Sequence, residues 1–266
     1  MVGAIFNRPQ KADTYHISAH KGGKIIEIIK EYANAFLDLI YPSKTICYIC
    51  GGALEENAKY SLCHSCYNNL PFIPDHHCDK CGTPLRMIED GPICQQCKKT
   101  NYCFDRAISV VEYKQDVKIL IYKLKYSNHT YLATTFGYIM ADKLKQEGIK
   151  ADIIIPIPLH RSKEKERGFN QATLISKYIV EKINIPLNIN ALIRTKNTKV
   201  MHNLTRRERL ENVEGAFEVV DKEAIINKDI LLIDDIFTTG STVNSCSKEL
   251  INNGAKSVTV LTFARD

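Results

Sequence analysis

From about residue 104 onward the chain alternates between two hydrophobic periods. Short apolar runs predict strands at Ala107–Glu112, Asp152–Pro156, Ala191–Arg194, Ala216–Val219, Asp229–Ile233 and Ser257–Phe263. Between them, apolar residues at helical spacing predict helices at Asp116–Tyr126, Leu132–Glu147, Asn170–Ile183 and Ser241–Asn253, the last stopped by Gly254. Thr205-x-x-Glu208 is a capping box that opens one more short helix. Runs such as IIIP and ILLI have no polar face, which fits central strands of a parallel sheet covered by helices on both sides. Upstream, Ile25, Ile28, Ile29, Tyr32, Phe36 and Ile40 recur at helical spacing and predict a helix over Gly23–Ile40. Its polar positions lack the Lys/Arg excess of a membrane-surface helix, so docking on protein is expected. Residues 1–22 show no periodicity and are expected to form a flexible tail. The resulting division is a tail over 1–22, an amphipathic helix over 23–45, a cysteine-rich segment over 46–103 and an α/β domain over 104–266.

Composition narrows the class. Hydrophobic residues make up 44% and charged residues 25% of 266, ordinary values for a globular chain. No apolar run approaches the roughly 20 residues of a bilayer span, so no membrane insertion is expected. Asn7, Arg8, Gln10 and Lys11 interrupt any secretory core, so a cytoplasmic address is expected. The net charge of +6 is uneven: residues 161–209 hold 12 Lys and Arg against 4 Asp and Glu, while residues 210–266 hold 5 against 10. A basic stretch beside an acidic one points to a polyanion site.

Nine of the ten cysteines fall between Cys47 and Cys103, and eight form C-x-x-C pairs: Cys47/Cys50, Cys63/Cys66, Cys78/Cys81 and Cys94/Cys97. Successive pairs are separated by 12, 11 and 12 residues, an internal repeat. Four such pairs in series predict two structural zinc sites, because a short turn converges two thiolates on one tetrahedral ion. A disulfide framework would need an oxidising compartment, and a redox motif would use one pair at a strand-to-helix junction. Consecutive pairing gives two stacked ribbons and interleaving gives a cross-brace; the equal repeat favours the first. Gly51 and Gly82, directly after second-position cysteines, suit a knuckle turn with positive φ. His64, His76 and His77 are expected at the surface, and Cys103 as a small packed hydrophobe. A closed four-thiolate site leaves no room for Lewis-acid chemistry, so the metals are structural, and the ribbon and the α/β domain are expected to keep separate cores.

The segment ILLIDDIFTTGST, residues 230–242, carries the chemistry. Apolar residues end a strand, two carboxylates follow, and a Thr/Gly/Ser turn opens a helix. Backbone N–H groups of Thr238 to Thr242 at a helix N-terminus suit a sugar 5-phosphate. Asp234 and Asp235 suit adjacent ribose hydroxyls, at the strand edge where ligands of open α/β sheets bind.

This signature resembles the phosphoribosyl-diphosphate (PRPP) motif of type I phosphoribosyltransferases. FLDLIYP, the C-x-x-C ribbon, LKY (124–126), IPIPLH…RGFNQA (155–172) and RxxRLENVEGAF (206–217) are similar to the ComF family of late-competence proteins over about residues 34–266. The resemblance implies a type I phosphoribosyltransferase fold, a parallel sheet with flanking helices and a hood, preceded by a small zinc-ribbon domain. It implies PRPP contacts at Asp234, Asp235, Ile236, Thr238, Thr239, Gly240, Ser241 and Thr242. It assigns Ile157, Pro158 and Leu159 to the diphosphate loop, Arg161, Arg167, Asn170 and Arg194 to diphosphate binding or the hood, and Arg194–Asn212 to a closing loop. Where the family commonly has Thr-Pro-Pro-Gln, this chain has Thr198-Lys199-Val200-Met201, losing an uncharged hydrogen-bonding residue. No catalytic residue is singled out. Mg²⁺ is expected with PRPP.

Two function classes follow. One is a phosphoribosyltransferase that moves ribose 5-phosphate onto an unidentified nucleophilic acceptor and releases diphosphate. The other is a non-catalytic single-stranded-DNA-binding factor in transformation or recombination that uses the PRPP fold for nucleotide sensing, with Lys123, Lys125, Arg161, Lys163, Lys165, Arg167, Arg206, Arg207 and Arg209 on phosphates and Tyr122 and Tyr126 as stacking faces. Diphosphate and DNA backbones call for the same side chains.

Overall fold

The computed structural model describes residues 45–85, 91–126, 129–198 and 205–266. The predicted tail and the helix over Gly23–Ile40 lie outside the described residues, as do the side chains of Arg206 and Arg207.

Two one-turn helices, α1 (His64–Asn68) and α2 (Gln95–Lys99), follow Cys63 and Cys94, whose Sγ atoms accept the N-terminal N–H of Cys66 and Cys97. Then come β1 (Arg106–Glu112), α3 (Gln115–Tyr126), α4 (Leu132–Gln146), β2 (Ile153–Pro156), α5 (Arg161–Arg167) and α6 (Gln171–Val180). They are followed by β3 (Leu192–Arg194), α7 (Arg206–Val213), β4 (Phe217–Val219), β5 (Asp229–Phe237), α8 (Ser241–Asn252) and β6 (Ser257–Arg265). Strands β1-β6-β5-β2 form a wholly parallel sheet, and β3 and β4 pair antiparallel as a separate hood. Among the described residues no helix is long and apolar enough to cross a membrane.

Period-2 alternation divides the sheet into two cores. Ile154, Leu231, Ile233, Leu261 and Phe263 face α3, α4 and α6, where Phe136 stacks on Phe263 at 3.8 Å. Ile153, Ile155, Ile230, Leu232, Val258 and Val260 face α8 and the hood residues Leu192 and Phe217. The expected separate core of the ribbon is not found. Cys47, Leu62, Cys63 and Leu70 belong to the first cluster, and Cys78, Cys81, Cys94, Tyr102 and Phe104 to the second. The ribbon also docks on the β1 edge: Ile73 N–H donates to Val110 O and Glu112 N–H to Pro71 O, at 2.9 and 2.7 Å. Two four-cysteine knuckles have too little apolar surface for a core of their own; each half borrows one face of the sheet, and Ile46–Asp266 forms one compact unit.

Two elements differ from the pattern-based expectation. Helix α5, RSKEKER, has no apolar stripe and was not anticipated; His160 caps its start by accepting from Ser162 N–H, and Gly168 at φ 85° ends it. Strand β5 runs past Ile233 to Phe237, because β6 extends to Arg265 and keeps pairing, Asp234 opposite Thr262 and Phe237 opposite Arg265. The two carboxylates therefore lie within the strand and not after it.

Candidate functional site

The cysteines resolve into consecutive tetrads, Cys47, Cys50, Cys63, Cys66 and Cys78, Cys81, Cys94, Cys97, with ligand atoms within 4.8 Å of one another. A tetrahedral ion with sulfurs at about 2.3 Å holds them about 3.8 Å apart. Cys81–Cys94 and Cys50–Cys63 measure 3.8 and 3.9 Å. Gly51 and Gly82 have φ of 73° and 70°, as the knuckle turn requires, and their N–H groups close back onto Cys47 O and Cys78 O. Burial pushes the Cys47 thiol up, but hydrogen bonds from the backbone N–H groups around Cys50 and Cys63 bring it down to about 7. Cys78 is likewise lowered, its burial outweighed by N–H donors around Cys94 and Cys81.

Arg265 adds a second test of fit. It is 6% exposed, donates from Nη2 to Cys81 Sγ at 3.2 Å, and its Nε and Nη1 have no hydrogen-bond partner. A buried guanidinium this poorly hydrogen-bonded is costly beside neutral thiols. Beside four thiolates on Zn²⁺, with their net −2, it is a charge partner. His64, His76 and His77 stand outside both tetrads. Cys103 is exposed and not packed as a small hydrophobe; its N–H donates to Asn244 Oδ1 at 2.7 Å.

The β5–α8 turn is tightly built. Gly240 has φ 78°, and a Cβ there would lie 2.7 Å from Phe237 Cζ and 3.0 Å from Tyr102 Cε1, so no side chain fits. Thr239 Oγ1 and Ser241 Oγ are 2.7 Å apart, and Thr239 Oγ1 accepts from Ser241 N–H at 3.4 Å. Ser241 and Gly240 are buried, while Thr238, Thr239 and Thr242 are half-exposed. The first-turn N–H groups of the twelve-residue α8 open here.

The two aspartate side chains couple to each other, and both feel the charge of Lys125. Lys125 Nζ lies 2.5 Å from Asp235 Oδ2, with side chains only 20% and 4% exposed. Burial would raise the Asp235 pKa, but Lys125 holds it below its ordinary value; Asp235 in turn holds the Lys125 ammonium above its own despite burial. Asp234 is pushed well up by burial and by the Asp235 charge. Lys125, one of the expected DNA contacts, has its ammonium in this ion pair with little exposure. Lys125 follows Ile121 by one helical turn, on the rim of the buried face made by Val117, Leu120, Ile121 and Leu124, a position from which the inward orientation could have been read.

Lys163 lies near enough to Arg194 and Arg167 to feel both charges. Lys163 donates to Thr198 O at 2.9 Å, and Arg194 Nη2 donates to Thr198 Oγ1. Burial lowers the Lys163 pKa, and the charges of Arg194 and Arg167 lower it further. Burial also lowers that of Arg194, partly offset by Cys246 and then Asp234. Arg194 Nε is buried without a hydrogen-bond partner. Arg167 donates to Gln171 Oε1 at 2.6 Å and lies 5.1 Å over the Tyr126 ring. Asn170 does not reach outward: it is 7% exposed, its Nδ2 donates to Ile157 O at 2.9 Å, and its Oδ1 accepts from Ala172 N–H. It therefore positions the Ile157–Leu159 loop. Ile157 itself is buried, with Pro158 and Leu159 half-exposed. Arg161 is exposed and lines a cavity of about 510 Å³ with Pro158, Leu159, Asn170, Leu192 and Arg194; no residue of the β5–α8 turn lines that cavity. Lys123 and Arg209 are half-buried on α3 and α7.

The double zinc ribbon domain family matches residues 36–98. Competence protein F of Haemophilus influenzae is 30% identical over 225 residues, covering 82% of this chain and 96% of its own length. The chain belongs to the ComF family. Another member, competence protein ComFC of Bacillus subtilis, is 27% identical over 84% of this chain and 95% of its own. Among solved structures, a hypoxanthine phosphoribosyltransferase from Staphylococcus aureus superposes on 50% of this chain and 63% of its own, at 18% identity and a TM-score of 0.33. As a ComF-family chain, it carries the two tetrads and the β5–α8 turn within one compact unit, Ile46–Asp266.

Proposed function

We propose that this protein binds PRPP with Mg²⁺ at the β5–α8 turn and transfers ribose 5-phosphate to a nucleophilic acceptor in the handling of incoming DNA. The observation that supports this reading is the electrostatic coupling of the β5 carboxylates to basic groups of other elements, Asp234 with Arg194 and Asp235 with Lys125 and Arg167. The N–H groups from Thr238 to Thr242 cradle the 5-phosphate. Asp234 and Asp235 accept from the ribose hydroxyls, and Lys163, Arg167, Arg194 and the Ile157–Leu159 loop stabilise departing diphosphate. Mg²⁺, a hard cation bound by carboxylate and phosphate oxygens, supplies further charge neutralisation on that leaving group. A cytoplasmic setting belongs to this reading, because eight thiols must stay reduced to hold metal.

Calorimetry with Mg²⁺ and PRPP tests it. Asp234→Asn and Asp235→Asn are each expected to weaken binding by about 1–3 kcal/mol through lost hydrogen bonds to the ribose. Unchanged affinity in the double variant refutes the site. Diphosphate release from PRPP, assayed across a panel of bases and amines, then identifies the acceptor.

A second reading rests on a different surface. Ile119, Tyr122 and Tyr126 are 53%, 61% and 61% exposed on one face of α3. The two tyrosine rings are 5.1 Å apart and tilted by 42°, and Arg167 lies over the Tyr126 ring. Such a ladder fits bases of a single strand. Replacing both tyrosines with Ala is expected to cost about 1–3 kcal/mol per base stacked and leave the salt slope unchanged. Arg206, Arg207 and Arg209 to Ala is expected to flatten that slope by about two units. No single-strand binding at low salt removes this reading and leaves the first intact.

A further inference from the structure

The β5–α8 turn is held from the ribbon side by a residue that lies outside the sequence motif. Tyr102, 5% exposed, follows the second tetrad in the chain and donates its hydroxyl to Thr239 O at 3.0 Å. That hydroxyl accepts in turn from Gln96 Nε2 at 2.9 Å. Gln96 sits on α2, the one-turn helix that carries Cys97 of the tetrad. The Tyr102 ring closes the space where a side chain at Gly240 would stand, and it stacks on Phe104 at 4.8 Å. Phe104 meets Phe237 edge-on, and Arg265, which donates to Cys81 Sγ, lies 4.4 Å over that same Phe237. Two routes therefore run from the tetrad to the turn, one polar through Gln96 and Tyr102, one through Arg265 and Phe237.

The consequence is orientational. In a trans peptide the C=O and the following N–H point in opposite directions. With the Thr239 carbonyl drawn toward Tyr102, the Gly240 N–H faces away from the ribbon, and the carbonyl oxygen is kept from competing for the same space. An anion cradle needs this arrangement, donors inward and acceptors removed. Cys103 N–H, donating to Asn244 Oδ1 at 2.7 Å, fixes the first turn of α8 from the same segment.

We propose that Tyr102 is a positioning residue for the 5-phosphate subsite, through which the second zinc tetrad sets the geometry of the turn. This rests on the reading of the β5–α8 turn as the phosphate-binding element. The test compares three probes on the full-length, zinc-loaded protein by calorimetry with Mg²⁺: PRPP, ribose 5-phosphate and inorganic diphosphate. Tyr102→Phe keeps the ring and removes only the hydroxyl. It is expected to weaken PRPP and ribose 5-phosphate alike by about three- to tenfold, the loss of a single hydrogen bond. Diphosphate affinity should stay the same, and elemental analysis should still find zinc for both tetrads. Gln96→Ala should shift the same two probes in the same direction by less. Wild-type affinity of Tyr102→Phe for ribose 5-phosphate overturns the proposal while leaving PRPP binding standing. So does an equal loss on all three probes, which is general loosening. A wild-type protein that binds none of the three overturns the reading of the turn and the proposal with it.

Discussion

Stripping both zinc ions from the full-length protein is expected to unfold residues 46–266 as one cooperative unit. Each four-thiolate site contributes on the order of 10 kcal/mol of apparent folding free energy, whereas a whole domain is stable by only about 5–15 kcal/mol. Both tetrads are embedded in the sheet's own cores: Cys47 and Cys63 pack with Ile108, Val110 and Leu261, and Cys78, Cys81 and Cys94 with Ala107, Val260 and Phe237. Removing the ions leaves buried thiols, and it leaves Arg265 without the charge that compensates its desolvation. Chelator titration followed by far-ultraviolet circular dichroism checks this, with zinc release measured in parallel. A surviving cooperative melt of the α/β region after both ions have left would show that the shared cores do not couple the halves. Purified protein with well under one zinc per chain would remove the metal assignment itself.

Lys125→Met is expected to destabilise the protein by about 3–5 kcal/mol at neutral pH, the cost of leaving a buried charge without its partner. The substitution preserves length and apolar bulk, so the loss falls on the electrostatics. Asp235 is 4% exposed and adjacent in sequence to Asp234, whose carboxyl is already pushed well up. In the wild type, Asp235 has a depressed folded pKa, so its stabilising contribution is present above the unfolded value near 3.9 and is lost as pH falls through the folded value. Without Lys125 the sign reverses: burial raises the Asp235 pKa, folding takes up a proton, and the penalty grows as pH rises above the unfolded value. Urea denaturation at pH 5 and pH 8 should therefore show the larger loss at pH 8, with the m-value unchanged. Equal stability of variant and wild type at pH 8 would mean that the ion pair offsets nothing. The variant also separates function from fold, since a surface phosphate contact at Lys125 would change the salt dependence of DNA binding and leave stability alone.

Much of this protein was legible in its sequence. Four C-x-x-C pairs at equal spacing specify two tetrads, because the short turn and the shared tetrahedral ion are both local constraints. Apolar runs without a polar face specify buried parallel strands, and the Asp-Asp-Ile-Phe-Thr-Thr-Gly run locates a strand-to-helix turn with carboxylates before it. The Thr205/Glu208 capping box forms as its spacing requires, Thr205 Oγ1 accepting from Glu208 N–H and Glu208 Oε2 from Thr205 N–H. Each of these features is decided within a few residues of the chain.

Tertiary structure decided what pairs across the chain. Helix α5 carries no apolar stripe, so only its caps announce it. Strand β5 continues through Asp234 and Asp235 because β6, some thirty residues later, continues beside it. Lys125, more than a hundred residues upstream, pairs with Asp235, and Asp234 couples to both of them. Asn170 turned inward to hold the Ile157 carbonyl, and Tyr102 came to lie beneath Gly240. The ribbon lost its separate core for a similar reason. Hydrophobic burial is non-directional and is satisfied by whatever surface the fold brings near, and for these two small knuckles that surface was the two faces of the sheet.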